Sequence, residues 1–328
     1  MNSKKVYVLI LNWNGWADTI ACLESVFQNT YSNFQVIVCD NGSTDGSREK
    51  IKQWANGSQK AVLPEEMPAG EIGLCSKPIS YAEVLVKDIT NENNIVNAPL
   101  IFIEIENNLG FAGGVNIGLR FALAQKDFDY VWLLNNDTII VKDSLTELVR
   151  TMNADASIGI CGSKLMYYDA PEQIQALGGK YNKFIGTSSH IVEKKGLLNI
   201  DYVVGASMLV SKVFIEKIGL MQEDYFLYYE DLDWSMRGKK FFKLACNLNS
   251  VVYHKEGASA GGNTKDKNTK SKISDYYSIR NRVLFTKKYF IEYLPTVYLG
   301  LILTIVNRVR RKQYNRVWMV LKIMLIGK

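Results

Sequence analysis

The sequence predicts an α/β protein: a mainly parallel central sheet flanked by helices, with a short helical appendage at the C-terminus. Three observations predict it. Strand-like apolar runs alternate with segments of helical apolar spacing through the first half. Two acids, Asp40 and Asp137, each close such a run and open a polar turn, which puts both at the C-terminal tips of buried strands, the side of an open α/β sheet where ligands bind. A chain of 328 residues, 47% hydrophobic and 22% charged, is also long enough to bury the core of one large domain with an appendage.

The elements follow in order. Val6–Leu11 comes after only two lysines and turns polar at Asn12; the run is too short for a secretory leader and lacks a small-residue cleavage site, so it reads as the first strand. Trp16–Asn29 places Ile20, Leu23, Val26 and Phe27 at amphipathic-helix spacing. Phe34–Cys39 is the second strand, and Asp40 opens the turn Asn41-Gly42-Ser43-Thr44-Asp45-Gly46 before a helix over Ser47–Trp54, with Asp45 or Ser47 as its cap. Residues 57–98 break the rhythm with Pro64, Pro68 and Pro78 and hold one convincing strand, Ala82–Val86, so they read as an insertion. Leu100–Ile105 is the next strand. The stretch Asn107–Gly118 reads as a glycine-rich loop that either lets the backbone approach a ligand or simply turns before a helix at Leu119–Ala124, whose first amides would face an anion. Tyr130–Leu134 then runs into Asn135-Asn136-Asp137.

In the second half, Val203–Val210 is strand-like, with small residues at Gly205, Ala206 and Ser207. Glu230, Asp231 and Asp233 open an amphipathic helix in which Asp233 and Arg237 are spaced to pair at i,i+4. A short strand, Ser250–Tyr253, ends at His254, one of two histidines. Residues 257–274 are glycine-rich and then lysine-rich without apolar periodicity, the composition of a mobile loop. Leu294–Val306 is an apolar run shorter than the roughly 20 residues a membrane-spanning helix needs. Arg308, Arg310, Arg311, Lys312 and Arg316 follow, and then Val317, Trp318, Val320, Leu321, Met324 and Leu325 recur at helical spacing. The expected division is a catalytic-type domain over residues 1–288 and amphipathic basic helices over 289–328.

The net charge of +6 conceals an asymmetry. Lys265–Lys328 carries 15 Lys and Arg against 3 Asp and Glu, which leaves the first 264 residues net negative. A nucleic-acid-binding domain would spread its basic patch over the fold, so nucleic acid is not an expected partner. The tail instead points to the surface of an anionic cytoplasmic leaflet, with a dimerisation face as the rival reading. Five cysteines with no Cys-x-x-Cys pair suit reduced thiols and a reducing cytoplasm.

Four motifs occur in order: Val8–Gly15, ending Asn12-Trp13-Asn14-Gly15; the turn Asp40–Gly46; Asn108-Leu109-Gly110-Phe111-Ala112-Gly113-Gly114-Val115-Asn116; and Leu133–Asp137. Together they resemble the family 2 inverting glycosyltransferases of the GT-A fold, and within them the bacterial rhamnosyltransferase branch. The resemblance spans roughly residues 5–290 outside the insertion. It implies that Asp40 accepts a hydrogen bond from the N3–H of uracil or thymine, and that Asn12 and Asn14 line the nucleotide pocket. Gly114, Asn116, Asn135 and Asn136 fall on donor-binding positions of the same motifs. Asp137 stands where the family's Asp-x-Asp signature ends, with Asn135 in place of the first acid. The implied metal, Mg²⁺ or Mn²⁺, is then held by one carboxylate, His254 and the donor's diphosphate.

The resemblance further makes Asp231 the catalytic base, ionised at a helix N-terminus, with Glu230 beside it. Arg280, in Asp275–Arg282, becomes a diphosphate clamp, with Arg282 as competitor. The implied partners are a dTDP-sugar donor, with dTDP-rhamnose foremost and a UDP-sugar as alternative, a glycan acceptor on a polyprenyl diphosphate, and the membrane's cytoplasmic face. Two rivals fit less well. A sugar-1-phosphate nucleotidyltransferase would carry a basic, glycine-rich loop after the first strand, which Asn12–Gly15 lacks. A non-catalytic sugar-nucleotide or glycan-binding protein would have no need of Asp137, Asp231 and His254 together.

Overall fold

The computed structural model describes residues 3–63, 73–92, 95–255 and 271–326. The loop expected at 257–274 lies outside the described residues as far as residue 270; from Ser271 the chain caps and enters a helix.

The first βαβα unit forms where its pattern puts it: β1 (Val6–Asn12), α1 (Trp16–Val26), β2 (Phe34–Asn41) and α2 (Ser47–Asn56). Helix α1 stops short of the expected Asn29, and Thr30 N–H pairs with Lys142 O at 3.0 Å on a neighbouring loop. Asp45 turns the chain into α2, its Oδ1 accepting from Ser47 N at 3.0 Å. Strand β3 (Tyr81–Leu85) comes from the segment read as an insertion, yet it pairs in parallel with β4 (Leu100–Ile105) and forms the edge of the main sheet. Buried Glu24 of α1 anchors the chain leading to it, accepting from Cys75 N at 2.8 Å, Lys77 Nζ at 3.1 Å and Trp54 Nε1 at 2.7 Å.

Helix α3 (Gly110–Gln125) corrects the sequence reading of Asn107–Gly118 as a loop. Its glycines serve packing. A Cβ on Gly114 would stand 2.4 Å from Leu11 Cδ1, and one on Gly118 2.4 Å from Leu9 Cδ1, so the helix lies directly on β1. Helix propensity argues against such a glycine run, and tertiary contact overrides it.

Next come β5 (Tyr130–Asn135), β6 (Thr138–Ile140), α4 (Ser144–Ala154), β7 (Ile158–Tyr167), β8 (Ile174–Ala176), β9 (Gly179–Asn182) and β10 (Thr187–His190). They are followed by β11 (Ser207–Ser211), α5 (Lys212–Ile218), α6 (Glu230–Gly238) and β12 (Lys243–His254). Strand β12 is longer than the expected Ser250–Tyr253. Its first half carries Asn247 and Asn249 and a register shift against β7, which hides the strand from an apolar pattern. The main sheet runs β3-β4-β2-β1-β5-β11-β7-β12-β6, with β8 beside β7; β3 to β5 are all parallel, and β11 and β6 run against their neighbours. Alternation along β1 divides the core: Val6, Val8 and Ile10 pack with Ile20, Leu23 and Trp54 on one face, while Tyr7 and Leu9 pack with Val115, Leu119 and Phe121 on the other.

The C-terminal helices α7 (Lys272–Tyr289), α8 (Leu294–Arg310) and α9 (Tyr314–Ile326) share a small core of Ile279, Val283, Leu301, Val320 and Ile323. Buried Asp275 of α7 accepts from Arg308 Nη2 at 2.6 Å and Arg316 Nη1 at 3.2 Å, which fixes the last two helices to α7. Among the described residues, no helix is long and apolar enough to cross a membrane.

Candidate active site

Strand pairing sets the span of the site. Asp40 is in register with Asn12, and Asn135 with Leu11, so Asp40 and Asn135 lie on opposite sides of β1, about 10 Å apart at two sheet spacings.

At the β2 end, Asp40 is buried and held from below. Its Oδ1 accepts from Asn12 Nδ2 at 2.6 Å and Ser43 Oγ at 2.7 Å, and its Oδ2 from Ser43 N at 3.2 Å. A cleft of about 310 Å³ opens beside it, bounded by Gly42, Thr44, Arg48 and Glu104. Asn14 sits exposed on the rim with a left-handed φ of 50° and accepts from Thr44 N at 2.7 Å. Asn12 is 0% exposed and has its Oδ1 occupied by Thr19 Oγ1 at 2.7 Å, so it positions Asp40 and does not itself line the pocket.

At the β5 end, Asp137 lies in the turn to β6, and pairing of β12 with β6 carries His254 next to Thr138. His254 Nε2 then stands 3.3 Å from Asp137 Oδ1. His254 Nδ1 lies 2.8 Å from Gln175 Oε1, and because an amide oxygen only accepts, Nδ1 carries the hydrogen and Nε2 presents its lone pair. Asn135 Nδ2 is 3.4 Å from the same nitrogen. Asp137 Oδ1 is buried and receives no hydrogen bond. Burial alone would raise the Asp137 pKa; a protonated His254 outweighs it by charge and hydrogen bond and holds the carboxyl below its usual range, the place a cation would take beside the neutral ring.

An acceptor oxygen without a donor, facing an imidazole lone pair, suits a hard divalent cation. Among the described residues no third His, Cys, Asp or Glu joins this pair, so the remaining ligands would come from the substrate's oxygens and water.

The acid pair is anchored beside the β5 tip, on the side away from β1. Asp231 accepts from Gly205 N at 3.1 Å and Leu232 N at 2.7 Å, and the next residue, Ala206, accepts through its carbonyl from Asn135 N at 3.1 Å. One two-residue segment therefore joins the α6 acids to the β5 tip. The expectation that a helix N-terminus keeps the base freely ionised needs correction. Burial pushes Glu230 up to about 8, with the charge of Asp231 adding to it, and burial raises Asp231 as well. Glu230 Oε2 has no hydrogen-bond partner while Asp231 has two backbone donors, so the charge settles on Asp231 and the proton on Glu230. Asp233 serves only the fold: it is fully buried and accepts from Arg237, Lys288 and Tyr289.

The turn that presents the pair is strained. Phe226, Tyr228 and Tyr229 have φ of 61°, 70° and 75°, each in the left-handed region that residues with a side chain avoid. Asn281 Nδ2 holds it, lying 2.8 Å from Tyr225 O, 2.8 Å from Leu227 O and 2.9 Å from Tyr228 O. Arg280 Nη1 donates to Asp224 O at 2.7 Å and to Asn281 Oδ1 at 2.8 Å, fixing which way the amide faces. Phe226 stacks on Tyr277 with ring centroids 4.8 Å apart. Gly110 makes the room: its φ is +75°, and a Cβ there would stand 2.4 Å from Phe226 O.

Several expected donor contacts are thereby redirected. Asn116 is buried and bonds Met221 N at 3.0 Å and Met221 O at 2.9 Å, tying α3 to the segment before the turn. Asn136 is buried and donates to Thr19 Oγ1 at 3.1 Å. Gly114 faces Leu11. The start of α3 is not an open anion site, because Gly110 N donates to Asn108 Oδ1 at 2.8 Å and Phe111 N to Phe226 O at 2.6 Å. Arg280 already spends one edge of its guanidinium on the strained turn, and Arg282 is pressed between Gly186 and Gly300. Asp40, Asn135, Asp137, His254, Glu230 and Asp231 are the expected residues that share the C-terminal edge of the sheet. Gln175 carries no sequence motif, and Asn281 lies in the Asp275–Arg282 segment without a role assigned there; the parts of both appear only once the fold brings them in.

Residues 7–66 and 86–218 match the model of the family described as glycosyl transferase family 2. Three relatives are similar over part of their length. The low-salt glycan biosynthesis hexosyltransferase Agl10 of Haloferax volcanii is 25% identical over 51% of this chain and 56% of its own. The Escherichia coli UDP-Glc:alpha-D-GlcNAc-diphosphoundecaprenol beta-1,3-glucosyltransferase WfgD is 25% identical over 35% and 46%. The dTDP-rhamnosyl transferase RfbF of Shigella flexneri is 23% identical over 58% and 64%. The chain thus spans about half to two thirds of each relative.

Two solved structures share the fold. GalNAc-T7 with UDP, GalNAc and Mn²⁺ aligns with a TM-score of 0.59 at 15% identity over 90% of this chain and 50% of that one. The mannosyltransferase PcManGT of Pyrobaculum calidifontis, in complex with GDP-Man and Mn²⁺, aligns at 0.55 and 14% over 100% and 86%.

Proposed function

The chain belongs to glycosyl transferase family 2, and from that premise we propose that it is an inverting, metal-dependent hexosyltransferase. It moves rhamnose from dTDP-rhamnose to a hydroxyl of a lipid-linked glycan, at the cytoplasmic face of a membrane. In this reading residues 1–288 form the transferase unit, and the tail from 289 holds it near its acceptor. The observation that carries the proposal is the single edge holding Asp40, the Asp137–His254 pair and the Asp231–Glu230 pair, with Gly205–Ala206 joining the acid pair to Asn135 at the β5 tip.

Each end has its chemistry. Asp40, oriented by Asn12 and Ser43, accepts the N3–H of a pyrimidine base. Asp137 and His254 would hold the divalent cation, which when bound offsets the charge of the departing diphosphate. Asp231 takes the proton from the acceptor hydroxyl. That oxygen bonds to the anomeric carbon from the side opposite the diphosphate, the bond to the diphosphate breaks with its electron pair leaving on oxygen, and the anomeric centre inverts. Glu230, neutral beside it, leaves the negative charge localised on Asp231. The relatives named for a dTDP-rhamnosyl donor and for a diphosphoundecaprenol-linked acceptor support this choice of substrates.

Asp40 serves uracil as well as thymine, so a UDP-sugar, galactofuranosyl or other hexosyl, is the second reading. Calorimetric titration with dTDP and with UDP, each with and without Mn²⁺, separates the two. Metal-dependent binding of dTDP, followed by dTDP-rhamnose turnover that Asp231→Asn lowers by about 10²–10⁴ without changing nucleotide affinity, is the expected result. Binding of neither nucleotide, or full turnover in Asp231→Asn, overturns it.

A further inference from the structure

We propose that the outward sides of α8 and α9 form a docking face for an anionic membrane surface, lying in the headgroup layer without crossing it. The inference deepens the peripheral-membrane part of the proposed function and rests on it.

The sequence alone shows an apolar tail, and packing decides which side of it is spent. On α8, Leu301 is fully buried against α7 and α9 and Val297 is fully buried beside Gly186, while Leu299, Leu303 and Val306, on the opposite side, are 60%, 61% and 41% exposed. On α9, Val320 and Ile323 are buried, while Trp318 and Leu325 are 61% and 83% exposed. All three helices meet in one core, so the outward sides of α8 and α9 both turn away from α7, the helix that carries Asn281 to the strained turn. Apolar stripes of this kind, with a tryptophan among them, suit a headgroup–acyl boundary. Crossing is excluded by length: the 17 residues of α8 reach about 26 Å against about 30 Å of hydrocarbon.

Charge selects the occupant. Tyr293–Lys328 contains seven Lys and Arg and no Asp or Glu. Asp275 already engages Arg308 and Arg316. Arg310, Arg311 and Lys312, exposed at the corner between α8 and α9, make no ion pair among the described residues. A second copy of the chain would bring the same cations to a symmetric contact and repel. Anionic headgroups meet both the apolar stripe and the cations.

The test is co-sedimentation of the full chain with vesicles of phosphatidylcholine alone and of equimolar phosphatidylcholine and phosphatidylglycerol, at low and raised salt. Binding to the anionic vesicles, weakened by salt, is expected. The triple variant Arg310→Gln, Arg311→Gln, Lys312→Gln should bind roughly a hundredfold more weakly, about fivefold per cation. Leu303→Asp with Trp318→Asp should abolish binding while keeping wild-type melting and nucleotide affinity. Failure of the wild type to bind anionic vesicles overturns the inference and, where nucleotide still binds, leaves the transferase reading standing. Binding undiminished in both variants overturns this face while leaving a peripheral location in place. A concentration-dependent dimer lost in both variants overturns it in favour of a second copy.

Discussion

Replacing Asn281 with alanine should disable the acid pair without touching it. Three non-glycine residues in left-handed conformations store strain of roughly 1–3 kcal/mol each in the turn 226–229, and they persist only while their surroundings over-determine them. The Asn281 amide is the main constraint: two N–H groups serve three carbonyls within 2.9 Å, with Oδ1 fixed by Arg280. Truncation leaves buried carbonyls without donors at about 1–3 kcal/mol each, so two lost bonds amount to about 2–6 kcal/mol. Part of that loss appears as relaxation of the turn and part as stability. A shift of the Glu230–Asp231 pair by about 1 Å is worth on the order of 10²-fold in rate. The assay is donor turnover measured beside nucleotide affinity and thermal melting. Asn281→Ala should melt several degrees lower and turn over about 10–100-fold more slowly, with dTDP or UDP affinity unchanged because Asp40 lies on β2, a different element. Asn281→Asp, which keeps Oδ1 but sets a carboxylate against three carbonyls, should be no better. Wild-type turnover in Asn281→Ala, at unchanged or lower stability, would refute the view that this turn positions the base.

Two further outcomes follow from the electrostatics. Glu230 titrates from 4.5 in the open chain to about 8 when buried, so the folded state keeps a proton that the unfolded chain gives up; its contribution to stability is full below pH 4.5 and is lost as pH rises towards 8. Glu230→Gln should therefore melt like the wild type near pH 4.5 and above it at pH 8, by an amount worth a few kcal/mol, and thermal melts across that range measure it. At the other end of the site, Gln175→Leu removes the acceptor that fixes the His254 tautomer, and Mn²⁺ affinity measured by calorimetry in the presence of nucleotide should fall about 10–100-fold; unchanged affinity would remove Gln175 from the metal end.

The fold was legible in the sequence because its signals are local. Period-2 and period-3.6 patterns mark the first residues of β1, α1, β2 and α2 and place their ends within about three residues, and the acids ending β2 and following β5 fall at strand tips whatever the remaining chain does. Elements defined by their partners escaped. Helix α3 hides behind glycines that permit contact with β1, and the first half of β12 behind a bulge and asparagines; the strand of β3 was legible, but its place at the edge of the main sheet hides behind a proline-rich approach.

The sequence by itself determined the α/β class, the family motifs and the candidate acids Asp40, Asp137 and Asp231, because each rests on residue type and short spacing. Only the tertiary structure decided what those groups can do. It brought His254 to Asp137 across more than a hundred residues through one antiparallel pairing with β6, and set Gln175 behind it. It buried Asn12, Asn116 and Asn136 in supporting roles, and it raised both members of the acid pair where a helix N-terminus alone would have lowered them. The physical reason is that desolvation and hydrogen-bond saturation depend on which surfaces meet, and sequence spacing carries no record of that beyond a few residues.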